Sequence, residues 1–214
     1  MTLSPPARNL LRLLERIAPY RGRDEAFRDL MFIWAASLRL PVDPDQATAR
    51  ECQATLSRFR ETDKKTIGEG FDLLIDALEE GPQDVLGPIY MDLGLGSKQL
   101  GQFFTPNPLT RLMAELVAPE DRRNGARSIS DPACGSGGTF LAEAARHIEA
   151  GRNPAMQMAV HGIDVSRTAI LMCYIQLTLW NIPAELVVGN AITLEVREIW
   201  RTPSLIRPEL RCLS

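Results

Sequence analysis

The stretch Ser128-Ile129-Ser130-Asp131-Pro132-Ala133-Cys134-Gly135-Ser136-Gly137-Gly138-Thr139-Phe140 decides the fold. It opens as a short strand and closes as the start of a helix. Between them lies a turn rich in glycine. Glycine tolerates positive φ and lets a second molecule come close to the backbone. A glycine turn that feeds a helix N-terminus suits a polar or anionic group. Pro132 fixes the chain as it leaves the strand and removes one donor. Taken alone, the run serves two readings, a tight strand-to-helix connection and a ligand-binding turn.

The following strands favour the second reading. Ala159-Val160-His161-Gly162-Ile163-Asp164 is an apolar strand ending in an acid, and it opens 28 residues after Asp131 (159 − 131). That separation fits one strand–helix–strand crossover. An acid at the end of a second strand is where nucleotide folds bind ribose hydroxyls. After another helix, Glu185-Leu186-Val187-Val188-Gly189-Asn190 gives a third strand. Parallel strands place Asp131, Asp164 and Asn190 on one sheet edge, the edge at which open α/β sheets bind ligands.

The run from Asp131 to Gly138 resembles the S-adenosylmethionine motif of DNA adenine-N6 methyltransferases. Gly101-Gln102-Phe103-Phe104-Thr105-Pro106, 25 residues upstream (131 − 106), resembles the additional cofactor motif of the same family. This order is similar to that of the methylation (M) subunits of type I restriction–modification systems. The resemblance covers about residues 84–194 and implies S-adenosylmethionine as cofactor. It places Asp131, Ala133, Gly135, Ser136 and Gly137 in the cofactor turn. Phe104, Thr105 and Pro106 would flank the methionine, Asp164 would take the ribose, and Asn190 would meet the adenine ring. The expected fold is α/β, a partial Rossmann-like S-adenosylmethionine-dependent methyltransferase fold. About three parallel strands with helices would occupy 84–214, after an N-terminal helical region at 1–83.

Two departures from the family pattern bear on activity. In the family an Asn-Pro-Pro-aromatic motif holds the flipped adenine and orients its N6 amine toward the methyl group. This sequence has only Asn107-Pro108 and Asn153-Pro154, neither after a fourth strand. Only 24 residues follow Asn190 (214 − 190), too few for further strand–helix repeats of about 30 residues each. The expectation is a cofactor half without assigned catalytic residues, inactive alone or completed by a partner chain. The alternative is a non-catalytic regulatory or assembly module of a DNA modification complex. Asn190 stands where the family often has Asp. It would accept from the adenine amine without a charge, so adenine binding should be weaker.

The same shortening leaves the first strand as a sheet edge, open to association unless covered. The tail at 197–214, the N-terminal helices, a second copy or a partner modification or specificity subunit would supply the cover. Pro203 and Pro208 argue against a regular paired strand in the tail.

Composition adds limits. The 214 residues carry a net charge of −3 with pI about 5.5. That is not the basic excess of an autonomous nucleic-acid surface, so DNA contact is expected through a complex. Cys52, Cys134, Cys173 and Cys212 form no close pairs. Neither a metal site nor a disulfide framework is expected, and a reducing cytoplasm is the natural setting. No charged-then-apolar leader or membrane-length apolar run is present. Cys134 fits better as a small residue inside the turn than as a nucleophile.

Residues 1–80 read as helices with apolar stripes at helical spacing, one through Leu10, Leu14 and Ile17, another through Phe27, Leu30, Met31 and Trp34. Phe27 and Trp34 share a face and read as bundle core rather than base-stacking aromatics. The helix after Asn107 should turn Leu109, Leu112, Met113 and Leu116 inward. The helix over 140–150 should turn Leu141, Ala144, Ala145 and Ile148 inward. Ser166 reads as the cap of a helix apolar nearly all round. His147 and His161 suit packing or surface roles.

Overall fold

A computed structural model describes residues 3–96, 105, 107–117 and 127–209. Six helices precede the first strand among these residues: α1 (Pro5–Leu14), α2 (Arg23–Arg39), α3 (Gln46–Leu56), α4 (Glu61–Glu79), α5 (Leu86–Asp92) and α6 (Asn107–Val117). Then come β1 (Arg127–Asp131), α7 (Gly138–Glu149), α8 (Pro154–Gln157), β2 (Met158–Asp164), α9 (Arg167–Leu179), β3 (Ala184–Asn190), β4 (Glu195–Arg201) and α10 (Pro203–Ile206).

Helix starts follow local chemistry. Ser4 accepts from Ala7 N and Pro5 opens α1, where a missing N–H costs nothing. Asp45 accepts from Thr48 N at 2.7 Å to start α3. Ser166 caps α9 by accepting from Ala169 N at 3.3 Å, as its position in the sequence suggests. Every residue from Thr168 to Leu177 of α9 is buried, which matches its unbroken apolar character.

The sheet has the order β1-β2-β3-β4. The first three strands are parallel, with Asp131 opposite Gly162 and Asp164 opposite Val188. β1 is therefore an edge of the described sheet. Three parallel strands were expected; β4 is an addition. It runs antiparallel to β3, with Trp200 opposite Leu186, on the edge away from β1. The start of the tail is thus a paired strand and does not cover β1. The proline objection fails because Pro203 lies after the strand ends. No β4 residue lacks its N–H, and Pro203 instead opens α10.

Two helix faces also differ from the periodicity. In α6, Leu109 and Leu112 are 47% and 49% exposed, while Thr110 is buried. The Met113 and Leu116 side chains lie outside the described residues. In α7 the buried face is Phe140, Leu141, Ala144 and His147, with Ile148 turned to solvent and Ala145 half-buried. Phe140 sets that rotation by lying against the bare backbone of Gly162 in β2.

One buried apolar cluster runs from Ala7 in α1 to Trp200 in β4. Trp34 is part of it, and its Nε1 donates to Ile67 O at 3.1 Å. Phe27 packs its ring on Tyr90, 5.3 Å between centroids. Both aromatics are core, in line with their shared helix face. Among the described residues no helix is long and apolar enough to cross a membrane.

Candidate functional site

The glycine turn lies across the carboxyl end of β2. Cys134 N donates to Ile163 O at 3.0 Å, and Gly135 N donates to Asp164 Oδ2 at 3.0 Å. Gly135 and Gly137 both have positive φ, 55° and 90°. A side chain at Gly137 would also meet Cys173 Sγ at 2.7 Å. Gly162 permits the close approach from below, since a Cβ there would fall 2.9 Å from Cys134 Sγ. Gly137 is also the N-cap of α7 and has no side chain to accept from the first-turn N–H groups.

The two strand-end acids build the turn. Asp131 Oδ1 accepts from Ala133 N at 3.0 Å, and Oδ2 accepts from Thr139 Oγ1 at 2.9 Å. Asp164 Oδ1 accepts from Ser166 N at 2.8 Å, opposite the Gly135 bond to Oδ2. Burial pushes the Asp164 carboxyl above its ordinary value; its backbone donors oppose that shift, and the charge of Asp131 adds to it. Thr105 is exposed and shares a small cavity of about 60 Å³ with Asp131, Ala133, Gly135, Ser136 and Thr139. Phe104 and Pro106 lie outside the described residues.

Asn190 ends β3 on the same edge. Its Oδ1 accepts from Ile192 N at 2.9 Å and from Thr193 N at 3.3 Å, which forms the turn into β4. Gly189 before it has a structural reason: a Cβ there would fall 2.2 Å from Glu195 O, at the irregularity between Val188 and Gly189.

Ser136 is brought to the turn but faces inward. It is buried, and its hydroxyl donates to Asp84 Oδ2 at 2.5 Å. Asp84 and its partner Gln176 were not singled out from the sequence. Gln176 is the one amide within the apolar run of α9. It is fully buried and makes four bonds: Oε1 accepts from Val85 N and Leu86 N, and Nε2 donates to Asp84 Oδ1 and Ser136 O.

Neither Cys134 nor Cys173 is poised as a nucleophile. Cys134 is buried, with its Sγ 3.8 Å from Gly135 O. Burial, with Cys134 alongside, pushes the Cys173 thiol well above its ordinary value and keeps it protonated. His161 lies 3.9 Å from Glu185 on the sheet surface and His147 packs inside α7's buried face. No cluster of metal-ligating side chains occurs among the described residues.

Three parallel strands with a glycine turn after β1, acids ending β1 and β2, and a helix N-terminus facing the turn make up a Rossmann-like class of α/β fold. Within that class the assignment is specific. The N-6 DNA methylase family model matches residues 83–201, and the chain belongs to that family. It is 29% identical over 117 residues to the type I restriction enzyme EcoEI methylase subunit of Escherichia coli, a match covering 52% of this chain and 23% of that relative. The chain thus corresponds to under a quarter of that relative's length. Two solved structures align at lower similarity. One, from Listeria monocytogenes, is described as a class I S-adenosylmethionine-dependent methyltransferase; it is 15% identical, with a TM-score of 0.49, over 85% of this chain and 52% of that one. The other is the type I restriction-modification system methyltransferase subunit from Streptococcus thermophilus. It is 12% identical, with a TM-score of 0.39, over 85% and 56% of the two chains. Both scores lie below 0.5, so the fold rests on the sheet itself.

Proposed function

We propose that this chain binds S-adenosylmethionine at the carboxyl edge of its sheet and acts as the cofactor half of a type I-like DNA adenine-N6 methyltransferase. The observation that carries the reading is the pairing of Asp131 and Asp164 around a turn with two positive-φ glycines. An ionised carboxylate has about four acceptor sites. Asp164 uses two of them on Ser166 N and Gly135 N, and the other two suit the paired donors of a ribose diol. Asp131 likewise keeps capacity beyond Ala133 N and Thr139 Oγ1, and its charge suits the α-ammonium of the methionine. The N–H groups of α7's first turn, without a side-chain cap, suit the methionine carboxylate. Thr105 lines the same cavity and, with Phe104 and Pro106, is proposed from the family motif to flank the methionine.

Asn190 takes a different contact from the one its residue type first suggests. Its amide oxygen is taken by Ile192 N and Thr193 N, so Nδ2 is the group left to donate to an acceptor nitrogen of the adenine ring. When bound, the cofactor's sulfonium supplies an electrophilic methyl group. The chain's own residues bind and orient it. The 214 residues contain no Asn-Pro-Pro to hold the acceptor amine. We propose that this function, and contact with DNA, come from polypeptide outside these 214 residues.

Calorimetry with S-adenosylmethionine and S-adenosylhomocysteine tests the reading. Binding is expected, and Asp164→Ala should weaken it by about 1–3 kcal/mol. Folded protein that gives no heat with either ligand at millimolar concentration would sink the proposal. In the second arm, tritiated methyl transfer from the 214-residue chain alone to unmethylated DNA should stay at background. Turnover abolished by Gly135→Asp would show that the chain needs no other half.

A further inference from the structure

We infer that Asp84 is a positioning residue of the cofactor turn, fixing Ser136 and through it the backbone of residues 135–138. The inference rests on the proposed reading of that turn as the cofactor site.

Asp84 is 3% exposed and stands just before α5. An ordinary helix-start acid would explain only one of its contacts, the bond from Gly87 N to Oδ1 at 2.9 Å. Capping acids usually sit in water, and burying a carboxylate is costly unless donors surround it. Here the other donors come from far along the chain. Ser136 Oγ reaches Oδ2, and Gln176 Nε2 reaches Oδ1 at 3.0 Å. Asp84 O also accepts from Asn107 Nδ2 at 3.0 Å, which ties the start of α6 to the same point.

Ser136 is gripped twice. Asp84 holds its hydroxyl, and Gln176 holds its carbonyl oxygen at 2.9 Å. The residues on either side are Gly135 and Gly137, with φ of 55° and 90°. Glycine carries the largest backbone entropy of any residue, so two such hinges would leave the turn loose. The grip on the serine between them supplies the restraint the glycines lack. A turn held in its binding shape spends less free energy on ordering when a ligand arrives.

Two neighbours are shaped around this clamp. A Cβ at Gly87 would fall 2.2 Å from Asp84 Oδ2 and 2.5 Å from Ser136 Oγ, so α5 carries glycine where the clamp passes. Gln176 has two lone pairs and two N–H groups, and all four are engaged. Its orientation is set by the backbone donors Val85 N and Leu86 N, which require oxygen on their side. The carboxamide therefore aims both N–H groups at Asp84 and Ser136.

The test uses the full chain, with Ser136→Ala, Asp84→Ala, Asp84→Asn and the Ser136→Ala/Asp84→Ala double variant. Three readouts are taken: S-adenosylhomocysteine affinity by calorimetry, amide hydrogen exchange at residues 135–138, and melting temperature. Asp84→Ala is expected to weaken binding by about tenfold or more and to speed exchange in the turn comparably. The double variant should lose little beyond Asp84→Ala alone, because both changes break the same bond. Asp84→Asn should recover most of the affinity, since its Nδ2 can donate to Ser136 Oγ. If Asp84→Ala does not fold, Ser136→Ala carries the test. Wild-type affinity and unchanged turn exchange in Ser136→Ala would overturn the inference, even if melting temperature falls. Losses that add fully in the double variant would also overturn it. If the wild type binds neither cofactor form, the proposed function fails, and exchange in the turn still decides whether Asp84 positions it.

Discussion

At the scale of single residues, His147 shows how burial sets a titration. Its Nδ1 accepts from Arg152 Nε at 3.1 Å, which requires the neutral ring, and Nε2 lies 3.4 Å from Glu143 Oε1. Burial is the main cause that pushes its pKa below the ordinary 6.5; Glu143 opposes it, while Arg152, Arg146 and Arg127 add to it. Below pH 6.5 the unfolded chain therefore takes up the proton before the folded one does. Stability from this residue is present above 6.5 and is lost as pH falls toward the depressed folded value. Asp84 and Asp164 act in the opposite sense, because burial raises both; the stability they withdraw as pH climbs above about 3.8 returns on acidification. The prediction is thus a difference. Between pH 7.5 and 5.5 the wild type should lose more urea-unfolding free energy than His147→Leu, and equal losses would contradict it. Local requirements also explain which site residues could be read in advance. Asp131, Gly135, Gly137 and Asp164 were legible because a positive φ or a strand-end acid is a demand of the nearest few residues. Asp84 was not, because its serine lies 52 residues away, and its glutamine 92. The only local hint was one amide, Gln176, in an otherwise apolar helix.

At the scale of elements, the parallel core was legible and the antiparallel edge was not. β2 and β3 are short apolar runs, β1 is marked by the glycine turn that follows it, and the three are separated by crossover lengths that leave few alternatives. β4 reads Glu195-Val196-Arg197-Glu198-Ile199-Trp200-Arg201, a charged stretch with no clear apolar face. Pairing with β3 and one large ring hold it in place, and sequence periodicity records neither. Trp200 is 2% exposed. Its ring lies edge-on to Tyr174 of α9 at 5.2 Å and to Phe32 of α2 at 6.3 Å, with the Arg39 guanidinium 5.0 Å above it. Its Nε1 donates to Glu198 Oε2 at 3.1 Å. The misplaced faces of α6 and α7 have a similar origin, since their buried sides are chosen by what lies beneath them and not by which residues are apolar. Trp200→Ala should therefore cost about 3–5 kcal/mol, the range for emptying a buried aromatic site. Denaturant unfolding measures it, and a cost below about 1 kcal/mol would mean that β4 is not anchored by this ring.

At the scale of the whole molecule, the helical region at 1–83 and the α/β region at 84–214 are distinct in sequence pattern, yet they share one core. The family match begins at residue 83. The apolar cluster does not begin there; it starts at Ala7 and continues through α2 and α9 to β4. Phe32 sits at the crossing, with the Trp200 ring on one side and the Arg167 guanidinium 4.5 Å from its centroid. Arg167 in turn pairs with Glu51 of α3 at 2.7 Å and with Glu198 of β4 at 2.9 Å. Those exposed pairs contribute little by themselves, but the apolar contact beneath them is large. We therefore propose one cooperative folding unit across the sequence boundary. Trp34 reports the helical region, Trp180 and Trp200 report the α/β region, and far-UV circular dichroism reports both. Fluorescence and dichroism should follow one thermal transition with coincident midpoints. A fragment spanning 83–214 should fail to fold, because α9 is buried at every position from Thr168 to Leu177 and would lose the cover that α2 provides. Separate transitions, or a soluble fragment that melts cooperatively, would show that the two regions are independent domains and that the contact at Phe32 is only an interface between them.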